Sequence, residues 1–406
     1  MRNSSFRLLS AFRNGVLELW SGGRGKVLTA VAGGWFLSVG VRMIYPVMLP
    51  SLRSAYGLNL TTAGLLLTVL FLAYAFGQFP GGVLADRFGE RFTLTASAVI
   101  SAGTLTLVIT ARSAIVLFVA TALFGFGTAL YAVGRYTVLS RLYSERLGAA
   151  NGVTAASQDA GQSILPPIAS VLAATFLWTY GFGFVIPLFI LAAVALWLVI
   201  PIRSTSTSNG DSGFSRDDLT ELRSALRRPT IVSATAALIL GLVVWQAFTS
   251  FYPTYLIEEK GLSATVASLL FGTFFALGIC IKPLSGVAYD RFGIRRSLVI
   301  VASGPTIALV MLPFVDGLWG LVAVTALVST LLGFATVLEP SLLRSLPADI
   351  RGTGFGILRS IGFTIGAISP VLFGAAAERG FFDEGFTILA VFAAGMLLLA
   401  FRIPEN

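Results

Sequence analysis

The sequence contains no histidine and only one cysteine, Cys280, in 406 residues. A disulfide within the chain is therefore impossible, and the nitrogen and sulfur ligands that zinc prefers are lacking. Catalysis and proton relays that use histidine are excluded as well, so any proton coupling must use carboxylates. From these absences we expect no enzyme, no metal site and no cofactor.

Charge is also scarce, because Asp, Glu, Lys and Arg make up 12% of the residues while 56% are hydrophobic. The mean hydropathy is +0.86. A soluble domain of this length cannot bury so much apolar surface, so lipid must cover part of it. A membrane-spanning helix needs about 20 apolar residues, and twelve such segments can be counted. They lie at about 27–50, 62–84, 93–111, 114–139, 148–176, 182–201, 231–257, 264–284, 297–314, 318–343, 352–377 and 385–402.

A charged hairpin motif occurs twice, each time directly after an apolar segment. Residues 82–91 read G-V-L-A-D-R-F-G-E-R and residues 286–295 read G-V-A-Y-D-R-F-G-I-R, an offset of 204. The same offset relates further glycines and prolines, namely Gly57 with Gly261, Gly148 with Gly352, Gly152 with Gly356, Pro166 with Pro370, and Gly181 with Gly385. An even number of spans separates the two motifs, so both copies cross the membrane in the same direction. The sequence thus predicts two parallel repeats of six helices.

Four regions follow from this pattern. Residues 1–26 are predicted to form a basic amphipathic arm on the membrane surface, with a disordered arm as the alternative. Residues 27–201 and 231–402 are predicted to form the two six-helix bundles. Residues 202–230, rich in Ser, Thr, Asn and Gly, are predicted to form a linker that contains a short helix.

The distribution of Lys and Arg predicts the orientation in the membrane. With both termini placed inside, twenty of the 28 Lys and Arg residues fall in inner segments and four in outer loops. We therefore expect a multi-pass protein of the cytoplasmic membrane with both termini in the cytoplasm. The net charge of +9 is then explained by loops beside anionic lipid rather than by binding of nucleic acid.

These features resemble the major facilitator superfamily, and the resemblance covers nearly the whole chain. The repeated hairpin is similar to the family's motif A, except that Glu90 stands where the family usually has a basic residue. The resemblance implies a monomer in which the two bundles enclose a central cavity lined by spans 1, 4, 7 and 10. The fifth span matches the family's antiporter motif only in part, since Gly152, Gly161 and Pro166 match while its other glycines are missing.

The resemblance also implies a gate at the hairpins. Their charged residues are expected to latch the two halves together while the outside is open, with the first hairpin contacting span 11 and the second span 5. A simple turn between helices is the alternative. The predicted gating residues are Asp86, Arg87, Arg91, Asp290, Arg291, Arg295, Lys282 and Arg359.

Excluding the terminal residue of each span, six charged residues fall within the predicted spans, where a charge costs about 2.5–3.5 kcal/mol unless water or a partner compensates it. They are Arg42, Arg135, Asp159, Lys282, Glu339 and Arg359. Four are positive and two negative, which favours an anionic substrate bound by Arg42 and Arg135. The alternative is that they pair with one another, Arg135 with Glu339 and Asp159 with Arg359 or Lys282.

Other polar and aromatic residues of the spans are predicted substrate contacts. The complete predicted set is Arg42, Arg135, Tyr45, Tyr131, Trp245, Gln246 and Glu339, with Trp35, Gln158 and Gln162 as further polar or aromatic positions. Asp159 and Glu339 are the only acids deep in the spans, so they are the predicted proton carriers.

The sequence thus predicts a secondary transporter that works by alternating access. Its expected partners are a small solute, the lipid bilayer and protons. Uptake of an anion and proton-driven efflux of a drug or metabolite both remain open, and a receptor or sensor that has lost transport is the alternative of a different class.

Overall fold

The computed structural model describes residues 20, 24–202, 228–346 and 351–403. Within these residues the regular structure is helical and no strand occurs. Most of the predicted amphipathic arm 1–26 and of the predicted linker 202–230 lies outside the described residues. The structural description therefore concerns the two helical halves.

The amino-terminal half holds seven α-helices in the described residues. They are α1 (Arg24–Arg42), α2 (Ile44–Tyr56), α3 (Leu60–Thr110), α4 (Ala114–Leu142), α5 (Leu147–Thr175), α6 (Tyr180–Gly183) and α7 (Ile186–Val199). A short 3₁₀ helix, Ser144–Arg146, joins α4 to α5.

The carboxyl-terminal half holds six α-helices in the described residues. They are α8 (Pro229–Glu258), α9 (Ala264–Met311), α10 (Leu318–Val328), α11 (Phe334–Ser345), α12 (Arg351–Glu378) and α13 (Phe382–Ala400). Two 3₁₀ segments, Leu312–Phe314 and Ser329–Gly333, follow α9 and α10 respectively.

Helix α3 is too long to be a single membrane span. Its 51 residues would extend about 77 Å at 1.5 Å per residue, whereas the hydrocarbon core is about 30 Å thick. Gly89 interrupts it with φ 81° and ψ 163°, a conformation that is essentially restricted to glycine. We therefore treat α3 as two arms, 60–88 and 90–110.

The packing of α4 shows that the chain reverses direction at Gly89. The first arm runs parallel to α4, whereas the second arm runs antiparallel to it. The facing pairs are Leu70 with Gly125, Gly77 with Ala129, Leu94 with Gly134 and Ile100 with Gly127. The predicted hairpin between spans 2 and 3 is thus a sharp reversal at a single glycine.

The carboxyl-terminal half repeats this reversal at Gly293, which has φ 74° and ψ 178° and divides α9 into arms 264–292 and 294–311. The chain from α10 through the 3₁₀ segment Ser329–Gly333 to α11 runs parallel to the first arm and antiparallel to the second. The facing pairs are Gly278 with Leu332, Gly286 with Thr336, Gly304 with Leu327, and Val301 with Gly333. The duplication read from the sequence is therefore present in the fold.

The described residues contain nine helical stretches that are long and apolar enough to cross a membrane. Two of these are α3 and the α9 stretch, each of which contains a reversal. Helix α5 is polar enough to fall outside the nine, yet its 29 residues extend about 44 Å and suffice to span a bilayer. This count is consistent with the twelve predicted spans.

We call the end of the bundle that carries Gly89 and Gly293 the hairpin face. The other end, which carries the tight loops at Gly57 and Gly261, is the opposite face. Both of these loop glycines have positive φ, at 64° and 66°.

Replacing Gly89 with alanine tests the reversal. An alanine at this φ and ψ is strained by about 1–3 kcal/mol, so Gly89→Ala is expected to lower the thermal stability of the purified protein. Gly103→Ala is the matched control, because Gly103 lies in the same helix and an added Cβ meets no atom within 4 Å. Equal melting temperatures for the two variants would contradict the role given to Gly89.

Candidate functional site

A cavity of about 430 Å³ lies between the two halves. Residues of both halves line it, including five that are charged and several that are aromatic. The charged ones are Arg42, Arg135, Lys282, Glu339 and Arg359, and the aromatic ones include Trp35, Tyr74, Tyr136, Trp245 and Phe363. The cavity thus gathers five of the six charges that the sequence places inside the spans.

Helices α3 and α12 close the cavity toward the opposite face. Glu378, at the end of α12, accepts a hydrogen bond from the backbone N–H of Leu60 at 2.5 Å, the first residue of α3. A helix amino terminus has unsatisfied N–H groups, so a carboxylate from the other half is well placed there. Further along α3, away from the opposite face, the hydroxyl of Thr68 accepts a 3.1 Å hydrogen bond from the N–H of Val371 on α12.

Helices α2 and α8 meet at the same end of the molecule. Arg53 forms an ion pair with Glu258 across the two halves. The Nε of Arg53 also donates to the carbonyl of Leu58 at 3.4 Å, which fixes the guanidinium at the loop after α2. The opposite face is therefore shut by polar contacts between the halves.

The cavity extends toward the hairpin face, the end away from these contacts. Its lining reaches Thr137 near the end of α4 and Phe355 near the start of α12. The adjacent Asp and Arg residues of the two hairpins are exposed, namely Asp86, Arg87, Asp290 and Arg291. The structure is thus closed at the opposite face and accessible from the hairpin face, the state in which the predicted latches are expected to be apart.

The last arginine of each hairpin packs within its own half. The guanidinium of Arg91 lies 4.1 Å from the ring centroid of Trp197, and that of Arg295 lies 5.0 Å from the ring centroid of Phe401. Trp197 and Phe401 stand at equivalent positions of the two repeats. In this state each of these arginines contacts an aromatic ring at the end of the last helix of its own half. Their role as gating residues concerns the other state and stays a prediction.

Glu90, the residue that departs from the family motif, is buried, with 1% of its surface exposed. Its carboxylate pairs with Arg141 of α4 at 3.4 Å. This ion pair ties the first hairpin to a helix of the same half.

Arg42 is the last residue of α1 and is 5% exposed. Its guanidinium carbon lies 3.8 Å from the ring centroid of Tyr74 and 6.0 Å from that of Trp35. Its Nε donates to the carbonyl of Ser38 at 3.3 Å. Aromatic faces attract cations, so the rings position the guanidinium without neutralising its charge.

Arg135 on α4 is held in a similar way and is 4% exposed. Its guanidinium carbon lies 4.0 Å from the ring centroid of Tyr136 and 4.5 Å from that of Trp35. It donates to the hydroxyl of Thr154 at 2.5 Å, while its Nε has no hydrogen-bond partner among the described residues. Trp35 thus borders both arginines, and its own Nε1 donates to Gln158 at 3.1 Å.

The other charges at the cavity are paired. Lys282 binds Asp159 across the two halves, and Arg359 binds Glu339 at 3.2 Å within the carboxyl-terminal half. Of the pairings considered from the sequence, Asp159 with Lys282 is present. Glu339 pairs with Arg359 and not with Arg135, whose described contacts are with Thr154 and aromatic rings.

Three predicted substrate contacts do not reach the cavity. Tyr45 is fully buried between Phe124 and Phe182 in the amino-terminal half. Tyr131 donates its hydroxyl proton to the carbonyl of Val31 at 2.9 Å, behind Trp35. Gln246 donates to the carbonyl of Phe363 at 3.2 Å, so its amide bridges α8 and α12 instead of facing the solute.

Tyr74 and Tyr136 are cavity residues that the sequence reading missed. Each supplies the nearest aromatic face to one of the two arginines. Tyr136 directly follows Arg135, a signal that could have been noticed. Tyr74 lies within an apolar run and gives no local signal, because its partner Arg42 is on another helix.

Closure of the opposite face depends on close backbone approach between the halves. A Cβ added at Gly374 would lie 2.3 Å from the carbonyl oxygen of Leu60, and a backbone atom cannot move aside easily. Overpacking of this kind costs about 1–3 kcal/mol. Gly374→Ala is therefore expected to shift the population toward an open opposite face.

Spin labels at Ser54 and Glu259, in a variant that lacks Cys280, would report the distance across this face. The distance is expected to lengthen in Gly374→Ala. Gly33→Ala is the control, because an added Cβ at Gly33 meets no atom within 4 Å. An unchanged distance distribution in Gly374→Ala would refute the proposed closure.

Comparison with known proteins agrees with this architecture. A sequence model described as Major Facilitator Superfamily matches residues 31–370. The chain is 26% identical to the probable sulfoacetate transporter of Cupriavidus necator, over 94% of each protein. It is 25% identical to the hexuronate transporter of Bacillus subtilis, over 85% of this chain and 87% of the relative.

The fold is also similar to solved structures. One is a bacterial homologue of the human lysosomal transporter Spinster in an inward-facing, unoccupied conformation, with a TM-score of 0.76 and 17% identity. The match covers 94% of this chain and 98% of that protein. At this level of identity the similarity concerns the fold alone.

Proposed function

Since this chain belongs to the major facilitator superfamily and is a membrane transporter, not an enzyme, we propose that it carries a small organic anion across the cytoplasmic membrane. The transport is driven by a proton gradient and proceeds by alternating access. The proposal that the solute is an anion rests on one observation. Arg42 and Arg135 lie at the cavity without a carboxylate partner in the described residues.

Burial of an unpaired charge is costly, and the cost is offset when an opposite charge binds. Lys282 and Arg359 already have carboxylate partners, so they add no net charge to the cavity. Arg42 and Arg135 add two positive charges, which an anion can neutralise. Their planar guanidinium groups also suit the geometry of a carboxylate or sulfonate.

The relatives support the same class of substrate. The names of the two relatives described above specify sulfoacetate and hexuronates. Sulfoacetate and hexuronates are organic acids that are ionised at neutral pH. Their chemistry agrees with the charge of the cavity and supports an anionic solute for this chain.

The positive-inside rule assigns the hairpin face to the cytoplasm. Both termini are then cytoplasmic, and the cavity described above is open to the inside. The alternate state requires the contacts of Arg53 with Glu258 and of Glu378 with α3 to break. In that state the hairpins close the inner end, with Asp86 and Arg87 near α12 and the second hairpin near α5.

Asp159 and Glu339 are the proposed proton carriers. Each carboxylate binds a cation in the structure, Asp159 through Lys282 and Glu339 through Arg359. Protonation of either acid weakens its ion pair and thereby couples proton binding to rearrangement of the site. Glu339 has direct access to the cavity, because it is part of the lining.

Uptake into proteoliposomes tests the anion site. Sulfoacetate, glucuronate and succinate, each radiolabelled, form a suitable panel. Loss of a charge-assisted hydrogen bond costs about 1.5–3 kcal/mol, so Arg42→Ala and Arg135→Ala are each expected to reduce transport about tenfold or more. Arg112→Ala is the control, because Arg112 is exposed and lies outside the cavity.

Wild-type uptake of at least one of these anions, lost in both cavity variants, is the expected result. Equal uptake by Arg42→Ala, Arg135→Ala and wild type would remove the anion site. Absence of flux for every solute tried would favour the alternative of a sensor.

A pH gradient imposed on the same vesicles tests proton coupling. Asp159→Asn and Glu339→Gln keep the shape of each side chain but cannot ionise. At least one of these two variants is expected to lose the stimulation of anion uptake by the pH gradient. The same variant is expected to keep the exchange of anion across the membrane. Full gradient-driven accumulation by both variants would show that neither acid carries the proton.

Proton-driven export of a drug or metabolite is the second candidate. It is favoured by the apolar part of the cavity wall, to which Met43, Leu238, Leu242 and Phe275 contribute. A fluorescent amphiphilic compound transported against its gradient, with no uptake from the anion panel, would support this function instead.

A further inference from the structure

Lys282 forms an ion pair across the two halves, which neither Arg42 nor Arg135 does in the described residues. It is on α9 of the carboxyl-terminal half, and its Nζ binds Oδ1 of Asp159 on α5 of the amino-terminal half. Lys282 also lines the cavity and exposes 25% of its side chain, whereas Asp159 exposes only 4%. The side chain of Lys282 is therefore both ion-paired to the other half and part of the cavity wall.

A lysine ammonium has three N–H donors. One of them is used by Asp159 in the structure, which leaves two N–H groups for a further acceptor. The anion contacts proposed above, Arg42 and Arg135, both belong to the amino-terminal half. A ligand that favours closure of the two halves must also contact the carboxyl-terminal half, because only differential binding shifts the equilibrium.

The second cation of the carboxyl-terminal half, Arg359, fits this role less well. Its partner Glu339 belongs to the same half, so their bond need not change when the halves rock. The bond of Lys282 crosses the seam and must respond to that motion. Lys282 is thus the cation whose environment depends on both the solute and the arrangement of the halves.

The equivalent seam of the repeat packs without an ion pair at this position. The positions that correspond to Lys282 and Asp159 are Gln78 and Phe363. There the helices are joined by an aromatic contact, with ring centroids of Tyr74 and Phe363 at 5.5 Å. One seam therefore closes with no charge pair at this position.

The seam between α5 and α9 also has its own backbone contact. A Cβ added at Gly272 would lie 2.5 Å from the carbonyl oxygen of Ser163. Helices α5 and α9 therefore also pack closely at a second point, away from the ion pair. A purely structural reason for the charges of Lys282 and Asp159 is thereby weakened.

We infer that Lys282 is the anion contact supplied by the carboxyl-terminal half, and that Asp159 holds its ammonium while the cavity is empty. When an anion binds, it shares or takes over this ammonium, and the solute then links the two halves. The inference rests on the proposed anion transport and adds a residue to it. The other charged groups around this site are Arg42 on α1, Arg135 on α4, Glu339 on α11 and Arg359 on α12.

Equilibrium binding to the purified full-length protein tests the inference, with sulfoacetate and glucuronate as probes. Lys282→Met is expected to weaken binding about tenfold or more, as for loss of a charged donor, and Lys282→Arg is expected to restore most of the affinity. Asp159→Asn removes the competing carboxylate and is expected to tighten binding. If the ion pair served only to join α5 to α9, Asp159→Asn would lower the melting temperature and would not tighten binding.

Lys260→Met is the matched control. Lys260 belongs to the same half and is also ion-paired, to Asp316 at 3.2 Å, but it lies outside the cavity. Its removal is expected to leave the affinity unchanged. Melting temperatures of all variants identify any that fail to fold, and the Arg and Asn variants still decide the question if Lys282→Met is unstable.

The outcomes separate this inference from the proposed function. If Arg42→Ala and Arg135→Ala weaken binding but Lys282→Met does not, the anion site stands and the role of Lys282 is wrong. Weaker binding by Asp159→Asn also overturns the inference. If the wild type binds neither probe and Arg42→Ala behaves identically, both the proposed function and the inference fail for these anions.

Discussion

A charge at the depth of a bilayer is costly unless water or an opposite charge compensates it, and this constraint organises the transporter. Six charged side chains lie within the spans, and five of them line one cavity. Four are combined into two ion pairs. The remaining two, Arg42 and Arg135, are held by aromatic rings instead. Aromatic contacts position a cation but leave its charge available, which is what a site for a transported anion needs.

The repeated hairpin allowed the architecture to be predicted. A duplication requires that both halves have the same number of spans and that the spans run in the same direction. The reversals at Gly89 and Gly293 are local features, and a local motif encodes them. The pairing of charges was less predictable, since Lys282 and Asp159 are distant in sequence and join only across the seam. Sequence spacing allowed Asp159 to pair with either Lys282 or Arg359.

The choice of helix face was the weakest part of the sequence reading. In a soluble helix the polar side marks the surface, but these helices contact lipid, other helices and the cavity, so apolar residues occur on every side. Tyr45 and Tyr131 were predicted to contact solute because they are polar and lie on spans of the cavity. Their hydroxyl groups instead point into the packing of the amino-terminal half, where Tyr131 finds a backbone carbonyl.

Duplication made two similar bundles, yet the cavity residues break the symmetry. Arg135 corresponds to Glu339, and Lys282 corresponds to Gln78. As a result the amino-terminal half carries both uncompensated cations, while the carboxyl-terminal half carries cations that already have partners. A symmetric cavity would hold an anion equally from both sides. In this asymmetric one the anion proposed above would meet uncompensated cations in the amino-terminal half and already paired cations in the other half, so its binding would be tied to a change of partners between the halves.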